Sequence, residues 1–243
     1  KSKGAASWLN LGFFNIEPVE IAKLAMVLIF AQYFSIRHIE LYRLKHIVIS
    51  GIYTLLVVGL VFLQPDFGSA MVLVFLWLGV MIIDGIKLKQ LLFLFLIGII
   101  LFAVAWLGIL KPYQKDRIIN FINPYLDPQG SGYHRIQSMI AIGSGQFWGR
   151  GLGHGSQSQL NFLPEQHTDF IFASIGEEWG FAGLIIIFIL YFLLFFRIIK
   201  IAIKAENNFA RLFCVGSVII FVFHVFVNIG MNLGVLPITG IPL

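Results

Sequence analysis

The chain has 243 residues, 58% hydrophobic and 15% aromatic, with 25 Phe and only 12% charged residues, about half the charged share of a soluble globular protein. Too few charges to coat a soluble surface exclude a disordered segment and argue against a soluble domain, and the lone Cys214 excludes a disulfide framework or a cysteine metal site. The net charge of +5 does not signal nucleic acid, because the basic residues sit between apolar runs, as the positive-inside rule produces in a membrane protein.

Crossing about 30 Å of hydrocarbon takes about 20 apolar residues. Six runs qualify, roughly 18–36, 46–64, 68–86, 90–110, 168–196 and 210–232, and they predict an all-α, polytopic membrane helix bundle with one domain over 1–243. One set of connections carries Arg37, Arg43, Lys45, Lys87, Lys89, Arg197, Lys200, Lys204 and Arg211 against only Glu40, Asp84 and Glu206, so that side is read as cytoplasmic. No cleavable signal is visible, and the chain opens on Lys1-Ser2-Lys3 and stops at Ile241-Pro242-Leu243, as a piece of a longer protein would.

The first run opens with Glu17, Glu20 and Lys23. Glu20 and Lys23 are three apart and share a helix face, so they are expected to pair. Either they form a helix-end cluster with Lys23 snorkelling outward, or they face a cavity, since ionisable groups inside a span are costly. At the turn Gln64-Pro65-Asp66-Phe67-Gly68-Ser69, Asp66 is expected to cap the third helix, a structural role.

The connection over 111–168 is too long to be a simple turn. It mixes aromatics, six glycines between 143 and 155 and charges of both signs, and predicts an ordered extracytoplasmic loop that carries chemistry. Where it enters the fifth span, Thr168 or Asp169 suits a helix cap, and Asp169 equally suits a general base at the membrane surface. Glu177 and Glu178 follow inside the span. At 100° per residue Glu177 lies about 80° from Asp169 and is expected to border the same cavity, and Glu178 about 180° away, against a different helix. Gly149-Arg150-Gly151-Leu152-Gly153 imitates a dinucleotide fingerprint without the surrounding strand and helix, and His134, His154 and His167 lack paired metal-ligand spacing, so no metal site is assigned.

Motifs along nearly the whole chain resemble the SEDS family of bacterial cell-wall polymerases (RodA, FtsW and SpoVE). They are Trp8-Leu9-Asn10…Glu17-Pro18-Val19-Glu20-Ile21-Ala22-Lys23, then Gln64-Pro65-Asp66-Phe67-Gly68 and Tyr113-Gln114-Lys115-Asp116-Arg117. Asn123-Pro124 and Gly130-Ser131-Gly132-Tyr133-His134…Gln137-Ser138 follow in the loop. The most specific are Phe162-Leu163-Pro164-Glu165-Gln166-His167-Thr168-Asp169-Phe170, Gly176-Glu177-Glu178-Trp179-Gly180 and Pro237-Ile238-Thr239-Gly240-Ile241-Pro242-Leu243. Gln157-Ser158-Gln159-Leu160-Asn161-Phe162 leans toward the RodA branch. The family's Gln-Pro-Ser-Glu is Glu17-Pro18-Val19-Glu20 here, and its Gln after the loop Tyr is His134.

The resemblance implies a glycosyltransferase of the bacterial cytoplasmic (inner) membrane that polymerises lipid II into peptidoglycan strands on the extracytoplasmic face, for cell shape and elongation. It implies Asp169 as the catalytic base and Lys23, Lys115 and Arg117 as contacts to the diphosphate, unless these cations meet membrane lipid phosphate instead. Glu20 would position Lys23, and Gln137 and Ser138 would touch sugar. A divalent cation, Mg or Mn, is left open as a helper, and a class B penicillin-binding protein is the implied partner. The rival readings are a lipid II flippase or transporter and a non-catalytic scaffold for that partner.

Overall fold

The structure is a computed structural model that describes residues 9–10, 15–37, 44–64, 66–110, 115, 119, 131–160, 162–163 and 165–243. The fold is helical: α1 Pro18–Arg37, α2 Leu44–Leu63, α3 Phe67–Ile83, α4 Leu88–Val104, α5 Ser131–Gly145, α6 Ser156–Gln159, α7 Ile171–Lys204 and α8 Asn208–Asn232. One short antiparallel ladder, β1 Leu9–Asn10 with β2 Asn15–Ile16, precedes them. Among the described residues five helices are long and apolar enough to cross a membrane, α4 counting with its continuation to Gly108, and the 17-residue α3 is a shorter apolar helix, so the chain is a multi-pass membrane protein. All six expected spans have a helix, and the largest departure is α7, which runs eight residues past the expected end at 196.

The chain divides into two compact units, each taken by itself below. The first comprises the described residues of Lys1–Leu91 and Leu194–Phe223, the second those of Leu92–Leu193 and His224–Leu243.

In the first unit, helical spacing decides what is buried. Val19, Lys23, Met26, Val27, Phe30 and Phe34 form one stripe of α1, while Ile21, Leu24, Leu28 and Ile36 on its other face are exposed, as lipid contact requires. α2 turns His46, Ser50, Thr54, Val58 and Val61 inward, at intervals of three and four, against α3 with its buried Leu73, Leu76 and Val80. The seam between α2 and α3 is small and polar. The Trp77 indole N–H donates to Ser50 Oγ at 3.0 Å, and a Cβ on Gly51 would lie only 3.2 Å from the same ring. The hydroxyls of Ser50 and Thr54 donate back to Ile47 and Ser50 carbonyls at 3.1 and 2.9 Å, so no polar group there is left to lipid. Tyr33 Oη and His46 Nδ1, 3.1 Å apart, join α1 to α2. Trp77→Phe removes one interhelical bond, and a loss of about 0.6 kcal/mol is expected in thermal unfolding in detergent.

Asp66 caps α3: its carboxylate accepts the Ser69 N–H at 3.0 Å.

α7 is two helices joined at a break, which lies in the second unit. Gly180 has φ 65° and ψ −163°, a conformation open in practice only to glycine. In an unbroken helix the N–H of Phe181 and Ala182 would bond to the carbonyls of Glu177 and Glu178. Instead they donate to Gln146 and Phe147 carbonyls at 2.9 and 3.0 Å, while the N–H groups of Arg150 and Gly151 take the Glu177 and Glu178 carbonyls, both at 3.0 Å. The stretch 146–151 is thus inserted into the helix ladder, and every backbone group freed by the break is paired, as a bilayer-embedded chain demands. The remaining Phe181–Lys204 segment, at about 1.5 Å per residue, is long enough to cross the bilayer alone.

Candidate active site

The turn over 165–170 winds directly into α7. Thr168 and Phe170 N–H groups both return to the Glu165 carbonyl, at 3.1 and 3.3 Å, and the Thr168 hydroxyl also donates to it. The Ser174 N–H meets the Phe170 carbonyl at 3.0 Å, so the Asp169 carbonyl lies just outside the helix ladder. It is taken up by α8. The side-chain amides of Asn228 and Asn232 both donate to it, at 3.0 and 2.9 Å. Asn228 donates its other hydrogen to the Ile241 carbonyl at 2.9 Å, which brings the segment 237–243 back alongside the same turn. There Gly240, at φ 76°, lies where a Cβ would stand 3.7 Å from Asp169 Oδ2. Beneath the turn Phe170 and Leu163 pack with Ala141 and Ala173 in a buried cluster that anchors it.

Asp169 is therefore half-buried, backed by apolar packing and held through its main chain, with its carboxylate beside a residue that has no side chain. Chemically, a carboxylate set this way is suited to take a proton from a hydroxyl brought to it.

The other expected site residues are distributed as follows. Glu20 and Lys23 belong to the first unit and form the expected ion pair, Nζ to Oε1 at 2.7 Å, with Lys23 3% exposed and Glu20 carrying the solvent-facing half. Lys115 holds its ammonium 5.9 Å from the Trp106 ring centroid, a cation–π arrangement. Arg117 lies outside the described residues, as do 120–130 of the loop. Gln137 is half-buried on α5.

Ser138 departs from the expected sugar contact. It is fully buried, with its hydroxyl shared between Asn232 O and Oδ1 at 2.9 and 3.1 Å, because it faces α8 rather than a surface. On the same helix Arg135 Nη2 donates to the Gly234 carbonyl.

Glu177 and Glu178 also differ from expectation. Glu177, 0% exposed, accepts the Gln157 N–H at 2.8 Å and the Ser156 hydroxyl at 3.4 Å. Glu178 Oε1 accepts the Gly153 N–H at 3.1 Å. Rotation from Asp169 does not identify these partners, which are the first two residues of α6 for Glu177 and the Gly153 N–H for Glu178. The break at Gly180 lets the loop dock here, and both carboxylates fasten it. Among the described residues no three His, Cys, Asp or Glu side chains gather to hold a metal ion.

Sequence reasoning missed Asn228 and Asn232. Two carboxamides four apart in an otherwise apolar helix were the available signal, since such groups are costly in a membrane without partners.

Comparison with known proteins agrees with this architecture. The chain is 42% identical over 248 residues to the peptidoglycan glycosyltransferase MrdB of Escherichia coli K12, an alignment that covers 100% of this chain and 65% of MrdB. It is 34% identical over 311 residues to the peptidoglycan glycosyltransferase RodA of Treponema pallidum, covering 99% of this chain and 72% of that one. Among solved structures, a chain of a peptidoglycan synthase complex that coordinates polymerization and crosslinking superposes with a TM-score of 0.81 at 33% identity, over 100% of this chain and 67% of that one. The rod shape determining protein RodA of Thermus thermophilus superposes with a TM-score of 0.66 at 31% identity, over 100% of this chain and 62% of that one. The chain thus spans about two thirds of the length of the relatives it matches. Since the cell cycle protein family of FtsW, RodA and SpoVE matches residues 1–243 without a gap at either end, and helices and Asp169 turn fall within that match, the chain belongs to this family.

Proposed function

We propose that this chain carries the membrane core of a peptidoglycan glycosyltransferase that polymerises lipid II, with Asp169 as general base. The observation that carries the reading is the Asp169 turn, fixed by two buried amides with its carboxylate beside Gly240. The relatives named as peptidoglycan glycosyltransferases support the same chemistry.

In this reading a sugar hydroxyl of one lipid II attacks the anomeric carbon of another. The new C–O bond forms as the bond from that carbon to the diphosphate oxygen breaks, undecaprenyl diphosphate departs, and the hydroxyl proton passes to Asp169. Diphosphate leaves without an acid if nearby positive charge offsets its own. Lys23 and Lys115 are the described candidates for that charge. Lys23 is buried and paired with Glu20, which would fix its position. Loop charge supports a site on the extracytoplasmic face, and a class B penicillin-binding protein is the expected partner for crosslinking.

The test is the protein in lipid vesicles loaded with lipid II, read simultaneously for glycan strands and for movement of labelled lipid II between leaflets. Strands are expected from wild type. Movement of intact lipid II with no strands would replace this reading by a transporter, and neither would leave a scaffold.

A further inference from the structure

Asn228 and Asn232 sit one turn apart on α8, and both are 0% exposed. A buried carboxamide is costly unless its donors and acceptor are used, and here they are. Both acceptors of Asn228 Nδ2 are backbone carbonyls, of Asp169 and Ile241, so the amide orientation is forced: an oxygen in its place would face two oxygens. Asn232 Nδ2 reaches Asp169 O, Asn228 O and Asn228 Oδ1 at 2.9, 2.8 and 3.2 Å, and its own oxygen takes the Ser138 hydroxyl. The result is a chain of bonds from α5 through α8 to the turn before α7.

We propose that Asn228, supported by Asn232, is a positioning residue for the base. Its amide joins the main chain of Asp169 to the segment that walls the carboxylate, and so sets the distance between Oδ2 and Gly240. Two donors on one carbonyl leave the Asp169 backbone little freedom. Removing them lets the turn and the 239–241 segment drift apart, and a shift of about 1 Å at reacting atoms is worth about 10²-fold in rate. This inference rests on the reading of Asp169 as base.

The test is a kinetic cycle on the protein in vesicles with purified lipid II. Asn228→Leu, close in volume and without donors, is expected to lower kcat by about 10- to 100-fold with KM changed less than about threefold. Leu184→Ala, a buried truncation elsewhere in the same unit, serves as the control for lost stability and keeps kcat once corrected for folded fraction. In the Asp169→Asn background, Asn228→Leu is expected to cost almost nothing further, because there is no carboxylate left to aim. An Asn228→Leu kcat near wild type, or a full additional loss on top of Asp169→Asn, overturns the proposal. If Asn228→Leu does not accumulate, Asn232→Ala carries the same cycle. It removes one of the two donors to the Asp169 carbonyl and leaves the bond to Ile241, with about tenfold loss expected. A normal rate in Asp169→Asn alone would instead remove the base itself, a result separable from failure of the clamp.

Discussion

Gly180→Ala is expected to undock the 146–157 loop and to lower the thermal midpoint of the purified protein by many degrees. Two costs act together. An alanine at φ 65° and ψ −163° is strained by about 1–3 kcal/mol. Its Cβ would also stand 2.3 Å from the Gly149 nitrogen and 2.7 Å from the Phe147 oxygen, where only backbone is available to move, and overpacking of this kind costs about 1–3 kcal/mol more. The four bonds that thread 146–151 into the ladder all cross this point, so they fail as a group. Amide exchange at Arg150, Gly151, Phe181 and Ala182 should accelerate together in the variant, ahead of the rest of α7. Unchanged exchange and an unchanged midpoint would show that the break does not depend on glycine.

Asp169→Asn is expected to cut the rate of glycan formation by about 10²–10⁴-fold, the usual worth of a general base, equivalent to about 3–5 kcal/mol in the barrier. The loss should fall on kcat. Asn228 and Asn232 hold the main-chain carbonyl rather than the carboxylate, so the isosteric amide keeps the turn, the packing of Phe170 and the path of 237–243. KM for lipid II is expected to stay within a few-fold, because the positive charges assigned to diphosphate are untouched. Initial rates across lipid II concentrations separate the two parameters.

Much of the helical frame was legible in the sequence because a bilayer imposes its own rule: about 20 apolar residues per crossing, polar groups between. Asp66 as a cap and Glu20 with Lys23 as a pair are local in sequence, and spacing of three residues was enough to read them. What spacing did not reveal are contacts between distant segments. Glu177 and Glu178 were placed by rotation from Asp169 alone, while the structure spends both carboxylates on N–H groups from 153 and 157, 20 to 25 residues earlier in the chain. Gly145, Gly149 and Gly180 carried the hint, since each lies where a Cβ would meet backbone, yet a glycine in sequence does not say which backbone. Ser138 read as a polar loop residue near a sugar because its partner, Asn232, is far along the chain. The turn at Asp169 was legible as the entry to α7, and the amides that fix it were not.

The most direct measurement is chemical rescue: glycan formation from purified lipid II by Asp169→Ala, with and without added formate. The account predicts no strands without formate and a partial return of product with it, as a small carboxylate fills the space left by the side chain. Strands formed by Asp169→Ala at the wild-type rate without formate would contradict it.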